Sequence, residues 1–330
     1  MSTPQICVIG ASGLVGANIT RAALARGYAV AGTLRDSADP EKAGALRALP
    51  NAGNLTLYSG DMSIPGAFDE ALAGADCVYI ASLIPTYFAA DGTPARELDD
   101  ERGYEEIVRP TLDGCLNILR SAAAAGVGNA VICSSTSSTN PVPPVANKNE
   151  VDHWSDEQEQ YRAKKYTSAA KTVMEKAAMA YAEEHGIRLC ILLPTMMLGP
   201  PVLPAHRKAG FGAMIDRLLA GEKPRHESVP NDSMSMIHLD DLANLFLACF
   251  ENESAKGRYF GVYDSWHWQD IYDCLAGLIP EAPMPARLGE PRAEATSFDF
   301  TRRDSLGVTL RDVPSMLEEM VAWHRAHPLP

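Results

Sequence analysis

Short apolar runs alternate with amphipathic stretches along most of the chain. "QICVIG" (5–10) is bounded by glycine and leads into "LVGANITRAALARG", which is apolar at helical spacing and stops at a glycine. Similar strand-like runs stand at 28–34 ("YAVAGTL"), 54–61, 76–82, 129–135, 187–193 and 258–263, with helical stretches such as 98–125 between them. Continuous β-branched runs separated by helices predict a parallel sheet covered on both faces. Beyond residue 195 the texture changes to "PTMMLGPPVLPAHRKAG", rich in Pro and Met and without a period. Residues 196–237 and 266–330 therefore read as a second, smaller lobe. Residues 1–195 and 238–265 form the larger domain. There is no internal repeat and no low-complexity tail.

Composition adds limits. A chain of 330 residues can bury a large core, which suits one big α/β domain and a small lobe. A formal charge of −13 argues against nucleic acid or an anionic membrane as partner, because both reward Lys and Arg. The seven cysteines (Cys7, Cys77, Cys115, Cys133, Cys190, Cys249 and Cys274) are scattered and make no C-x-x-C pair. Neither a disulfide framework nor a metal site is expected, and reduced thiols in a cytoplasmic protein fit better. "MSTPQICVIGASG" lacks the basic start of a leader, and no apolar run approaches the ~20 residues of a membrane helix.

The most specific local signal is "GASGLVG", with Gly10, Gly13 and Gly16 between a strand and a helix. In that context glycines allow a tight turn, close approach to a pyrophosphate and close helix–strand packing, and the helix N-terminus favours phosphate charge. Ser12 and Leu14 belong to the same turn. Where the second strand ends, an NAD-binding domain usually offers Asp or Glu to the ribose, but "GTLRD" offers Arg35 first. A guanidinium there pairs with a 2′-phosphate, so NADP(H) is expected. "GDM" places Asp61 and Met62 after the third strand.

These stretches, with "GAFDEALAGADCVYIAS", "RPTLDGCLNIL", "AVICSSTSSTN", "RAKK", "AAKTVMEKAA", "LLPTMMLGP" and "IHLDDLANL", run in order over roughly 1–265. In that order the chain resembles the extended short-chain dehydrogenases/reductases, in particular the dihydroflavonol 4-reductase-like group. The resemblance implies a Rossmann-type doubly wound parallel sheet with a smaller C-terminal substrate lobe. It also implies hydride transfer between a nicotinamide and a carbonyl. By register, the resemblance assigns Ser135 as hydrogen-bond donor to the substrate oxygen and Lys171 to the ribose and the proton relay. It assigns Asp61, Met62, Ala81 and Pro194 to the coenzyme and Asn140 to the substrate. The "NWYCY"-like signature of the related cinnamoyl-CoA reductases is missing, which lowers the case for a thioester substrate.

The relay tyrosine is the departure. The family places it four residues before the lysine, whereas here Thr167 stands in that slot and Tyr166 lies five back. Tyr161 does stand four before Lys165, but "KTVMEKAA" follows Lys171 as the family sequence does. Residues five apart on a regular helix differ by about 140°. A π-bulge or a later helix start would restore a shared face, and on that expectation Tyr166 is the proton donor. The alternatives are an NADP-binding sensor or scaffold without turnover and, further off, a nucleotide-sugar epimerase or dehydratase. Met196, Met197, Met214, Met234 and Met236, near Pro200, Pro201 and Pro204, suggest an apolar or aromatic small-molecule substrate. The protein is expected to act as a monomer or homodimer.

Overall fold

The computed structural model describes residues 3–83, 87–208 and 210–329. Ten strands are seen among them: β1 Gln5–Ile9, β2 Ala29–Leu34, β3 Leu55–Ser59, β4 Cys77–Ile80, β5 Asn129–Cys133, β6 Arg188–Pro194, β7 Met196–Leu198, β8 Ser233–His238, β9 Gly257–Gly261 and β10 Asp264–His267. The helices are α1 Leu14–Ala25, α2 Pro40–Arg47, α3 Asp69–Leu72, α4 Asp100–Gly103, α5 Arg109–Ala124, α6 Glu157–Arg162, α7 Tyr166–Glu184, α8 Gly210–Leu219, α9 Leu239–Glu251, α10 Trp268–Leu278, α11 Thr301–Asp304 and α12 Val313–Ala326.

Seven strands form one parallel sheet in the order β3-β2-β1-β4-β5-β6-β9. Helices α1 and α9 pack together, as do α5 and α7. Alternate side chains of the inner strands feed two cores, with Ile6 and Val8 in one and Cys7 and Ile9 in the other. This two-sided burial explains why the strands read as unbroken apolar runs. The strand order reverses between β1 and β4, so a crevice opens beyond their carboxyl ends, where such sheets bind ligands. The doubly wound α/β expectation is met.

A second sheet, β10-β8-β7, packs with α8, α10 and α12 around Leu198, Phe211, Ile215, Tyr272, Met316 and Leu317. Met214 and Met236 are buried in this core rather than facing a cleft.

The stretch 98–125 is not one helix. α4 passes through a π turn, Tyr104–Val108, before α5 begins. Pro110 has no N–H to give to the preceding turn, so the ladder loosens just ahead of it. Among the described residues no helix is long and apolar enough to cross a membrane.

Candidate active site

Gly10 ends β1 with φ 77°, and a Cβ there would lie 2.3 Å from Cβ of Ser82. Only glycine fits this turn. Gly16 is fixed for another reason, since its Cβ would meet the carbonyl oxygen of Gly10 at 2.2 Å. Gly10 N donates to Thr33 Oγ1 at 3.1 Å and Ala11 N to the Thr33 carbonyl at 2.8 Å, which ties the turn to the end of β2. Gly13 caps α1 with no side-chain partner for the first-turn amides, so these donors face the crevice.

A cavity of about 580 Å³ opens beside this turn, walled by Gly10, Ser12, Gly13, Arg35, Lys42, Asp61 and Met62 among others. Arg35 is exposed at its rim. Asp61 accepts from the hydroxyl and amide of Ser63, which with Arg35 nearby hold its carboxyl below the usual range. Lys42 went unnoticed in the sequence. The Asp39 side chain caps α2, and Lys42 Nζ lies 3.1 Å from its carboxylate, so the lysine is carried to the same rim as Arg35. The signal was the cap itself, Asp39-Pro40 with a cation three residues after the aspartate.

On the other side of the glycine turn lies a cavity of about 470 Å³. Leu14, Ser135, Asn140, Met196, Met197, Pro201 and Phe211 contribute to its wall. Ser135 follows β5 in extended conformation and its Oγ accepts from Ser137 N at 3.2 Å, which leaves the hydroxyl hydrogen to give. Asn140 receives 2.7 Å from Lys148 Nζ on its side-chain oxygen, so its amide hydrogens are left free to face a ligand. Lys148 is itself buried, 5.0 Å from the Phe298 ring centre, and burial lowers its pKa. His206, Arg207 and His324, none of them singled out in the sequence, also reach this wall.

The helix carrying "YTSAAK" corrects the expectation about Tyr166. α7 begins at Tyr166 and runs as regular α-helix, so no bulge or late start separates Tyr166 from Lys171. The π turn lies on the neighbouring segment instead, and Tyr166 packs under it. Its side chain is completely buried, its hydroxyl donates to Asp100 Oδ1 at 2.7 Å, and a Cβ on Gly103 would strike its ring at 2.5 Å. Burial and the Asp100 carboxylate push its pKa up to about 12. The hydroxyl is thus not brought to the cavity that holds Ser135. Lys171 lies near Cys133, Glu175 and Cys115, whose influence opposes the lowering of its pKa by burial. Tyr161 lies beside Tyr166, with ring centres 6.0 Å apart.

One turn beyond Lys171, Glu175 is sealed in the interior. It accepts from Ser134 and, at 2.8 Å, from Arg258 Nε on β9. Arg258 in turn lies 3.5 Å over the Trp154 ring and donates to the Glu150 carbonyl and to Ser138. This buried pair, also missed in the sequence, braces the serine loop against α7.

Of the residues expected at the site, Gly10, Ser12, Gly13, Arg35, Asp61 and Met62 meet at the first cavity and Leu14, Ser135 and Asn140 at the second. Gly16, Ala81, Tyr166, Lys171 and Pro194 form part of neither wall. Ala81 pairs back to the Ile9 carbonyl at 3.2 Å, and Ser82 and Leu83 take the wall position after β4. Pro194 ends β6, and the next residues, Thr195 and Met196, reach the second cavity.

A glycine turn with open helix amides, between a cavity that carries Arg35 and Lys42 beside Asp36, Asp39 and Asp61 and a second cavity of mixed polar and apolar lining, defines a dinucleotide-binding protein with a substrate cleft. The profile of the NAD dependent epimerase/dehydratase family matches residues 6–262. The chain is 33% identical to dihydroflavonol 4-reductase of Callistephus chinensis, over 92% of this chain and 80% of that one. It is 28% identical to tetraketide alpha-pyrone reductase 1 of Arabidopsis thaliana, over 96% of this chain and 94% of that one. The yeast methylglyoxal/isovaleraldehyde reductase Gre2, solved with NADPH, shares the fold with a TM-score of 0.77 at 21% identity, covering 98% of each chain. The chain belongs to the NAD dependent epimerase/dehydratase family of extended short-chain dehydrogenases/reductases, in its dihydroflavonol 4-reductase-like group, as an NAD(P)-dependent reductase.

Proposed function

We propose that the protein is an NADPH-dependent reductase of ketone or aldehyde carbonyls on small apolar or aromatic molecules, reversible as an alcohol dehydrogenase. The observation that carries this is the pairing of two cavities across one glycine turn, Arg35 and Lys42 on the far rim of one and Ser135 in the other. The coenzyme, when bound, supplies the hydride. The amides of the α1 N-terminus and the glycine turn stabilise pyrophosphate charge. Arg35 and Lys42 offer two cations to a ribose 2′-phosphate, Lys42 from its pairing with Asp39 and both beside Asp36 on the same wall. Ser135 donates a hydrogen bond to the carbonyl oxygen as negative charge develops there, and the proton that completes the alcohol is taken from water. Family register gives the ribose to Lys171, although it forms part of neither cavity wall, and Asn140 presents its amide to the substrate. The two relatives with high coverage are named as a dihydroflavonol 4-reductase and a tetraketide alpha-pyrone reductase, and Gre2 was solved with NADPH, which supports the same direction.

A second reading is favoured by one observation. Tyr166, the expected proton donor, is bound to Asp100, and Thr167 stands in the family's tyrosine slot. An aliphatic hydroxyl is far too weak an acid to replace a phenol, so the fold could serve as an NADP-binding sensor without turnover.

NADPH oxidation over a broad panel of aldehydes and ketones separates the two. Turnover with NADPH and much less with NADH is expected. Arg35→Ala and Lys42→Ala should each cut the NADPH preference, Arg35→Ala by roughly 10- to 100-fold for a charge-assisted pair worth ~1.5–3 kcal/mol. Tight NADPH binding with no turnover on any carbonyl would favour the sensor, and equal affinity for NADH and NADPH would remove the assignment of Arg35.

A further inference from the structure

The segment between β7 and α8 carries a histidine that the reading above leaves without a role. Pro200, Pro201 and Pro204 restrict the backbone of this segment. Leu203 anchors it, 2% exposed in the same apolar core as Val15 of α1. From that anchor a 3₁₀ turn, Pro204–Lys208, carries His206 back to the glycine turn. His206 Nε2 lies 3.1 Å from the carbonyl oxygen of Ser12. A carbonyl only accepts, so Nε2 carries the ring hydrogen. The other nitrogen agrees, since Nδ1 accepts from Leu203 N at 3.4 Å. Burial lowers the pKa of the ring against the opposing pull of the Ser12 carbonyl, so at pH 8 the ring is neutral.

The Ser12 carbonyl and the Gly13 N–H are the two ends of one planar peptide unit. The N–H end donates to the Gly10 carbonyl at 2.9 Å, and the carbonyl end is held by His206. A peptide unit pinned at both ends cannot swing. The open amides of α1 begin with the next residue, Leu14, so their aim depends on that plane. Those amides are the donors a pyrophosphate needs.

His206 also ties the turn to distant elements. Its neighbour Arg207 donates from Nε to Asp216 of α8 at 2.9 Å, and Asp216 lies 2.7 Å from Nδ1 of His324 on α12. Both helices contribute to the wall of the second cavity. Two consecutive residues thus link the glycine turn to the helices beside the substrate cleft.

We propose that His206 is a positioning residue for the coenzyme. By holding the Ser12 carbonyl it keeps the glycine turn and the first amides of α1 in the arrangement that takes a pyrophosphate. It acts through the backbone of the turn and not as a ligand of its own. This rests on the first cavity holding NADP(H), which the wild-type titration tests by itself.

Three nucleotides are titrated calorimetrically at pH 8 into the full chain and its variants: NADP⁺, 2′-phospho-ADP-ribose and adenosine 2′-monophosphate. The first two carry a pyrophosphate, whereas the third offers only its 2′-phosphate to Arg35 and Lys42. His206→Ala should weaken NADP⁺ and 2′-phospho-ADP-ribose by about 5-fold each, the worth of one neutral hydrogen bond. Adenosine 2′-monophosphate should bind this variant as it binds the wild type, which also shows that the variant is folded. His206→Gln should recover most of the loss, because its amide can donate to the same carbonyl. Unchanged NADP⁺ affinity in His206→Ala, an equal loss for all three nucleotides, or no recovery in His206→Gln would overturn the proposal. So would a loss confined to NADP⁺, which would put His206 at the nicotinamide end. A wild type that binds none of the three would remove the coenzyme assignment and the role of His206 with it, whereas normal wild-type binding with unaffected variants removes that role alone.

Discussion

Tyr166 shows how far a motif reaches at the scale of one residue. Its spacing from Lys171 was plain in the sequence, but where its hydroxyl points was not. That direction is set by Gly103, whose missing side chain admits the ring, and by Asp100, which takes the hydroxyl hydrogen. Tyr166→Phe should therefore keep turnover within about 3-fold and instead lower stability by ~1–3 kcal/mol, the range for a buried bond to a charged acceptor. Urea melts and kcat measured on the same preparation would check both. A 100-fold loss of kcat with normal NADPH binding would return Tyr166 to the proton relay. Arg35 behaved differently. A residue directly after a strand has little freedom of placement, and its position in the sequence already put it at the cavity rim.

At the scale of elements, α7 was legible as a helix, yet the charge buried beneath it was not. Glu175 looks like an ordinary surface glutamate in "TVMEKAA", and Arg258 lies 83 residues away on β9. Burial pushes the Glu175 carboxyl up against the opposing pull of Arg258, which shows that desolvation is a major cost here. Arg258→Met should lose about 3–5 kcal/mol, because it strands a carboxylate in the interior. The double variant Glu175→Leu with Arg258→Met should recover much of that loss, since a well-packed apolar pair removes the unpaired charge. Equilibrium unfolding of the three proteins makes the comparison. If the double variant were no better than Arg258→Met alone, the pair would be stabilising in itself. The π turn at Tyr104–Val108 belongs to this scale too, and Pro110 was the sign in the sequence that 98–125 could not be one unbroken helix.

For the whole molecule, His238 sits where β8 meets α9. It is completely buried, its Nδ1 accepts from Asp240 N at 3.1 Å, and Nε2 lies 3.4 Å from Glu319 of α12. Arg311, Asp240, Asp241, Arg21 and Glu319 surround the cluster. Burial, and next Arg311, lower its pKa from 6.5 to about 4. The unfolded chain takes up a proton near pH 6.5 that the folded chain refuses until about pH 4. Stability is thus fully present above pH 6.5 and falls as pH drops from there toward 4, by on the order of 2–3 kcal/mol. Urea midpoints at pH 7.5, 5.5 and 4.5 should show this fall, and His238→Gln should flatten it. An unchanged slope in the variant would assign the pH dependence to other groups. The sequence by itself determined the alternation of strands and helices, the glycine turn, the parallel doubly wound sheet and the cation after β2. All of these follow from backbone periodicity and turn chemistry acting within a few residues. Only the tertiary structure decided that Tyr166 turns toward Asp100, that Lys42 joins Arg35, that Glu175 meets Arg258, and that His324 meets Asp216 across 108 residues. The aim of a side chain depends on which distant elements leave it room and which bury its partner, and no local pattern carries that information.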